Sequence, residues 1–145
     1  MRLILPVAAL SATLACGATE PSDQRVVGVI LAGSGTASVI NAPDTVRARE
    51  RFGAVINTFG SSSCTTPDGV DLHQAATEVV ITPYDRVPSD PAASCTRDMA
   101  PRPHPVQVRF TDPGFGRIIV QGRLSSGTVP GPSPVSVTKT VVVLP

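Results

Sequence analysis

His73 and His104 are the only imidazoles in this chain of 145 residues, and each stands alone beside a turn signal. Cys95, Met99 and His104 are residue types found at copper, but a blue-copper centre needs two histidines and a cysteine converging with a weak methionine. His73 would have to come from afar and Cys95 would have to stay unpaired, so both histidines read as solvated loop residues. Asp68, Asp71 and Asp85 lie in PDGVD and PYD, loop-end sequences that could gather carboxylates around calcium. They lack the alternating ligand series of an EF-hand loop and read as turn formers. SSSC at 61–64 and GSG at 33–35 supply hydroxyls without a GxSxG elbow or a histidine placed to serve them. GSGTAS holds a lone GxG, too little for a phosphate cradle. Tyr84, beside Asp85, reads as a structural corner with its hydroxyl on backbone. The expectation is no catalytic residue, no metal ligand and no cofactor.

The cysteines carry more. Arg2 gives a short positive start, Leu3 to Ala15 is a run of thirteen uncharged residues, and small Ala15 precedes Cys16. That is the layout of a secretory signal peptide over residues 1–15, too short for a membrane span of roughly 20 apolar residues. GATEPSDQ, residues 17–24, has the composition of a flexible spacer. Three cysteines are an odd count; if Cys16 is otherwise engaged, Cys64 and Cys95 remain as an even pair, and in an oxidising compartment they are expected to form a disulfide. It would close a loop of about 30 residues and stabilise by about 3 to 4 kcal/mol on the chain-entropy estimate.

A cysteine directly after a small residue at the end of such a leader resembles the lipobox of bacterial lipoproteins, with Thr13 and Leu14 standing where the usual box has Leu and a small residue. The resemblance implies that Cys16 is acylated and becomes the mature N-terminus. The competing reading is an ordinary signal peptide cut near Ala15 or Ala18. Two or three acyl chains exceed the single chain that binds membranes only marginally. Gly17 rather than Asp at the next position implies, by the same resemblance, the outer membrane over the inner.

Lys and Arg number 12 and Asp and Glu 11, and Arg2 falls in the leader, so the mature chain is balanced. No charge asymmetry steers it to nucleic acid. Four Phe, one Tyr and no Trp leave few platforms for stacking bases or sugars.

Fifteen prolines and twelve glycines punctuate short β-branched runs, the pattern of an all-β fold. RVVGVIL, TASVIN, DTVRAR and FGAVINTF supply the early strands, with AGSG as a turn; Phe52, Ala54 and Ile56 share one face and Val55 and Phe59 the other. TEVVITPYD places Val79 and Ile81 together, and Pro83 is expected to end that ladder. Residues 83–105 hold six prolines and read as a long irregular crossing ordered by the disulfide. PVQVRFTD then alternates, with Val106, Val108 and Phe110 inward. With DPGFG and GRIIVQGR it reads as a β-hairpin. SSGTVPGPSP is a loop, and VSVTKTVVVLP closes the chain with Val135 and Val137 in phase. VDLHQAAT, residues 70–77, is the one candidate for a short helix.

APDTVRARERFGAVINTFG and FTDPGFGRIIVQGR resemble the opening strands and the late turn-and-strand of bacterial extracellular immunoglobulin-like modules. This implies a single immunoglobulin-like β-sandwich of seven to eight short antiparallel strands over residues 25–145, following the signal peptide and the lipidated spacer of 16–24. The core Trp and the inter-sheet cysteine pair of antibody-type domains are absent, and such folds host unrelated functions. The expected function is a non-catalytic structural or protein-interaction module tethered to the envelope through Cys16, with an exposed strand edge or the 83–105 loop as its contact surface. The alternative is a small-ligand or metal-binding protein using the region from Cys64 to His104.

Overall fold

The computed structural model describes residues 23–31, 39–124 and 134–145. The leader, Cys16, most of the spacer, the AGSG turn and residues 125–133 lie outside the described residues. The fold is all-β. Its strands are β1 (Asp23–Val27), β2 (Val29–Ile30), β3 (Ile40–Asn41), β4 (Thr45–Arg47), β5 (Phe52–Gly60), β6 (Thr66–Gln74), β7 (Glu78–Pro88), β8 (Ala100–Val108), β9 (Gly114–Leu124) and β10 (Pro134–Leu144). β1 starts inside the expected spacer, with Asp23 and Gln24 opposite Pro88 and Val87.

The strands form a seven-stranded and a three-stranded sheet. In the larger one β7 pairs β6 along one side. Along the other it pairs β9 over Glu78–Ile81 and then β1 over Tyr84–Pro88. β9 continues to β10 and β10 to β4. β5 is central in the smaller sheet, between β3 and β8. The expectation of purely antiparallel strands is corrected: β7 with β9, β2 with β9, and β10 with β4 are parallel. The expected hairpin is corrected too, because β8 belongs to the smaller sheet and β9 to the larger. β8 runs back in the other layer, so the chain re-enters the large sheet in the direction of β7.

Inward residues of both sheets meet in one cluster. It includes Ala54, Ile56, Val79, Ile81, Val106, Val108, Phe110, Ile118, Val120, Val141 and Val143, while Val135 and Val137 pack partly buried at its margin. The alternation read from PVQVRFTD and GRIIVQGR is the one observed, as period-two side chains require.

Three proline-related expectations are corrected. Pro83 does not end its strand, since β7 runs on to Pro88. A residue's N–H and C=O point to the same side of a strand. The Pro83 carbonyl accepts from the Gly28 N–H at 2.9 Å, so its missing N–H falls where the neighbour of β7 changes from β9 to β1. The prolines at 101, 103 and 105 do not make a loop either; they lie in β8. Opposite β5 they alternate with Arg102, His104 and Val106. Proline cannot donate, so the bonds to β5 use the even residues, and the missing donors face the open edge. The expected helix at 70–77 is strand β6 running into a turn.

Strand directions define two ends. Asp23, the 61–65 turn, the 89–99 loop and Leu124 lie at one. Arg49–Arg51, the 75–77 turn, residues 109–114 and Leu144 lie at the other.

Candidate functional site

β5, β7 and β8 bring Thr58, Asp85 and His104 together inside the core, with relative exposures of 0%, 2% and 2%. The Thr58 hydroxyl donates to Asp85 Oδ1 at 3.0 Å. His104 Nε2 lies 3.1 Å from the same carboxylate oxygen and 3.1 Å from Thr58 Oγ1. Nε2 is therefore the proton-bearing nitrogen, its N–H shared between the carboxylate and the hydroxyl oxygen. His104 Nδ1 is buried with no hydrogen-bond partner among the described residues. Gly28 lies against the group: a Cβ there would fall 2.2 Å from Thr58 Cγ2 and 3.1 Å from Asp85 Oδ2.

These are the residue types of a nucleophile, base and acid, but their geometry is not that of a relay. A catalytic imidazole faces the acid with one nitrogen and the nucleophile with the other. Here one nitrogen faces both, and the acid bonds the hydroxyl directly. The group instead ties β7 of the large sheet to β5 and β8 of the small one, satisfying buried polar atoms that would each cost about 1 to 3 kcal/mol unpaired. His104 and Asp85 are thus corrected from loop and turn residues to core residues.

Cys64 and Cys95 form the expected disulfide, with Cα atoms 5.6 Å apart, joining the 61–65 turn to the 89–99 loop. Hydroxyls surround it. Ser61 Oγ lies 2.8 Å and Ser62 Oγ 3.0 Å from Thr96 Oγ1. The Ser62 N–H donates to Asp98 Oδ1 at 2.9 Å and the Thr96 hydroxyl to the same atom at 2.5 Å. The backbone donor of Ser62, with the hydroxyl of Thr96, holds the Asp98 carboxyl down to about 2. This is a serine-rich turn pinned by a carboxylate, with no histidine bonded to any of its hydroxyls among the described residues. The sulfurs are consumed by their bond and His104 Nε2 by Thr58 and Asp85, so the Cys95, Met99, His104 trio makes no common site. Among the described residues no three His, Cys, Asp or Glu side chains are grouped to hold a metal ion.

Asp68 and Asp71 sit apart from Asp85, on the outer face of the large sheet. A bulge between Pro67 and Val70 sets Asp68 and Gly69 opposite Tyr84, and Gly69 takes φ 84°, open to glycine. Asp68 then bridges two guanidiniums, Arg25 at 3.3 Å and Arg86 at 2.9 Å. Arg25 lies 3.5 Å from the Tyr84 ring centroid. The Tyr84 hydroxyl bonds the Asp71 carboxylate, which raises its pKa above the usual tyrosine value, with burial adding to the rise. Tyr84 is thus held by side chains rather than as a backbone corner. His73 is exposed on β6, opposite Val80.

Sequence reasoning missed Thr58 altogether. Period two would have found all three core residues: Thr58 is in phase with Ala54 and Ile56, Asp85 with Val79 and Ile81, and His104 with Val106 and Val108. Cys16 lies outside the described residues. No family model, curated protein or solved structure matches the chain.

Proposed function

We propose that this chain is an exported lipoprotein, tethered to the cell envelope through Cys16, whose immunoglobulin-like β domain is a non-catalytic module that binds a protein partner. The observation carrying this reading is the Thr58, Asp85 and His104 arrangement, sealed from substrate and wired as a structural tie. The disulfide supports export, since such bonds persist in oxidising compartments. β1, the first described strand, begins at Asp23 on the disulfide end, so a tether attached at that end leaves the opposite end outermost. That outer end exposes Phe115 at 73% and Val142 and Leu144 each at 41%. Phe115 and Val142 are register partners, and apolar side chains grouped on a surface mark contact sites.

Replacing Cys16 with Ser is expected to release the protein from membranes on fractionation; unchanged association would sink the tether. A photocrosslinking amino acid at position 115 is expected to trap an envelope protein in cells. Absence of any crosslinked protein would remove the interaction reading.

A further inference from the structure

The outer end carries a groove of about 570 Å³ lined by Arg51, Gln74, Ala75, Ala76, Gln107 and Arg109. The register of β5 and β8 ends at Phe52 with Val108 and, carried one step further, sets Arg51 opposite Arg109. Both are exposed. Among the described residues neither forms an ion pair, Glu50 and Asp112 being the carboxylates nearest in sequence. Like charges directly opposite across two strands are destabilising. The large sheet shows the same juxtaposition with its counter-charge present: Arg25 and Arg86 are register partners, and Asp68 lies on both guanidiniums. Among the described residues no carboxylate does the same for Arg51 and Arg109.

The backbone beside them is also distinctive. Pro101, Pro103 and Pro105 strip donors from the open edge of β8, and Gln107 is the next residue whose N–H faces that edge. An extended chain approaching this edge meets the Gln107 N–H beside the arginines, and the edge closes there, where Gln74 Nε2 bonds the Arg109 carbonyl and the Thr111 N–H donates to the Ala76 carbonyl. Arginine forks suit carboxylates in bidentate geometry.

We propose that the Arg51–Arg109 groove binds an extended acidic peptide segment of a partner protein, an Asp or Glu carboxylate occupying between these guanidiniums the place that Asp68 occupies between Arg25 and Arg86. This rests on the protein-interaction reading and names the chemistry of the partner.

The test is fluorescence anisotropy of a labelled Glu-rich peptide, and of its Gln counterpart, against the purified full chain. The Glu peptide is expected to bind, more weakly as salt rises, and the Gln peptide is not. Arg51→Gln and Arg109→Gln are each expected to weaken binding about tenfold, while Arg97→Gln, at the other end, leaves it unchanged. Arg109→Glu installs the missing counter-charge and is expected to abolish binding with an equal or higher Tm. The site is overturned if the Glu peptide does not bind, if the double Gln variant binds as well as wild type, or if Arg97→Gln weakens binding equally. Tighter association with phosphatidylglycerol vesicles than with the Glu peptide overturns it as well. Should a Gln variant fail to fold, Arg51→Lys and Arg109→Lys decide: weaker peptide binding supports the site and unchanged binding overturns it. Failed peptide binding with crosslinks from position 115 retained removes this site alone; lost crosslinks with peptide binding intact remove the envelope-partner reading alone.

Discussion

Tyr84 is the single tyrosine of the chain, so its ionisation can be followed by ultraviolet absorbance without ambiguity. Its bond to Asp71, with burial and the Asp71 charge, favours the neutral phenol over tyrosinate, while Arg25 opposes them. A folded value above the unfolded one means that the stabilisation is fully present below about pH 10 and is lost as pH rises through the folded value. The titration midpoint is expected above the ordinary tyrosine value, and Asp71→Ala is expected to bring it back toward that value. An unmoved midpoint would show that Asp71 is not the cause. Deeper in the molecule, Asp85→Ala would take the carboxylate acceptor from both the Thr58 hydroxyl and the His104 Nε2–H and is expected to cost about 1 to 3 kcal/mol for each group left unpaired, read by urea unfolding. Thr58→Val removes one hydroxyl from the same group and is expected to cost about 1 to 3 kcal/mol. Equal, negligible losses in both variants would mean that the polar tie contributes nothing to stability.

At the scale of elements, β8 shows how composition can mislead. Six prolines in 83–105 suggest a structureless crossing, yet Pro101, Pro103 and Pro105 fall on one parity of an edge strand, where missing N–H groups cost no ladder bond. The same parity blunts the edge against pairing with other chains. Replacing these three prolines with Thr is expected to leave the fold intact at about 0.4 to 1 kcal/mol each through the unfolded state. It is also expected to promote self-association through the restored donors, read by size-exclusion chromatography with light scattering. A strictly monomeric triple variant would argue that the prolines do not protect the edge. Gly28 is the corresponding device on the other side of the core: its N–H donates to Pro83 and its carbonyl accepts from Arg123, filling the gap between β7 and β9 where Thr58 leaves no room for a side chain.

The whole molecule has two dissimilar ends. At the disulfide end, the 61–65 turn and the 89–99 loop are joined by one covalent bond, by exposed hydroxyl contacts and by the Ser62 N–H on the Asp98 carboxylate, and Arg102 of β8 donates to the Ser61 carbonyl. Stability there depends on the bond. Reduction, or Cys64→Ser with Cys95→Ser, is expected to lower stability by about 3 to 4 kcal/mol at most, with a Tm lower by several degrees; an unchanged Tm would mean that the loops are held without it. The other end brings Arg51 and Arg109 together from two separated stretches of sequence. No local motif announces it, because its juxtaposition depends on β5 pairing with β8.

Alternation along Val106, Val108 and Phe110, and along Ile118 and Val120, fixes which side chains are buried, because a strand has only two faces. With Cys16 read as the lipid-bearing residue, the odd count of three leaves Cys64 and Cys95 as the pair. The chain by itself therefore determined the all-β class, much of the core and the covalent staple. Tertiary structure alone decided which strands share a sheet, and with that the parallel pairings, the edge position of the prolines and the meeting of Thr58, Asp85 and His104. The reason is physical. Face is a property of a single strand, whereas neighbour and edge are properties of pairs far apart in sequence, selected by how two layers close over one core.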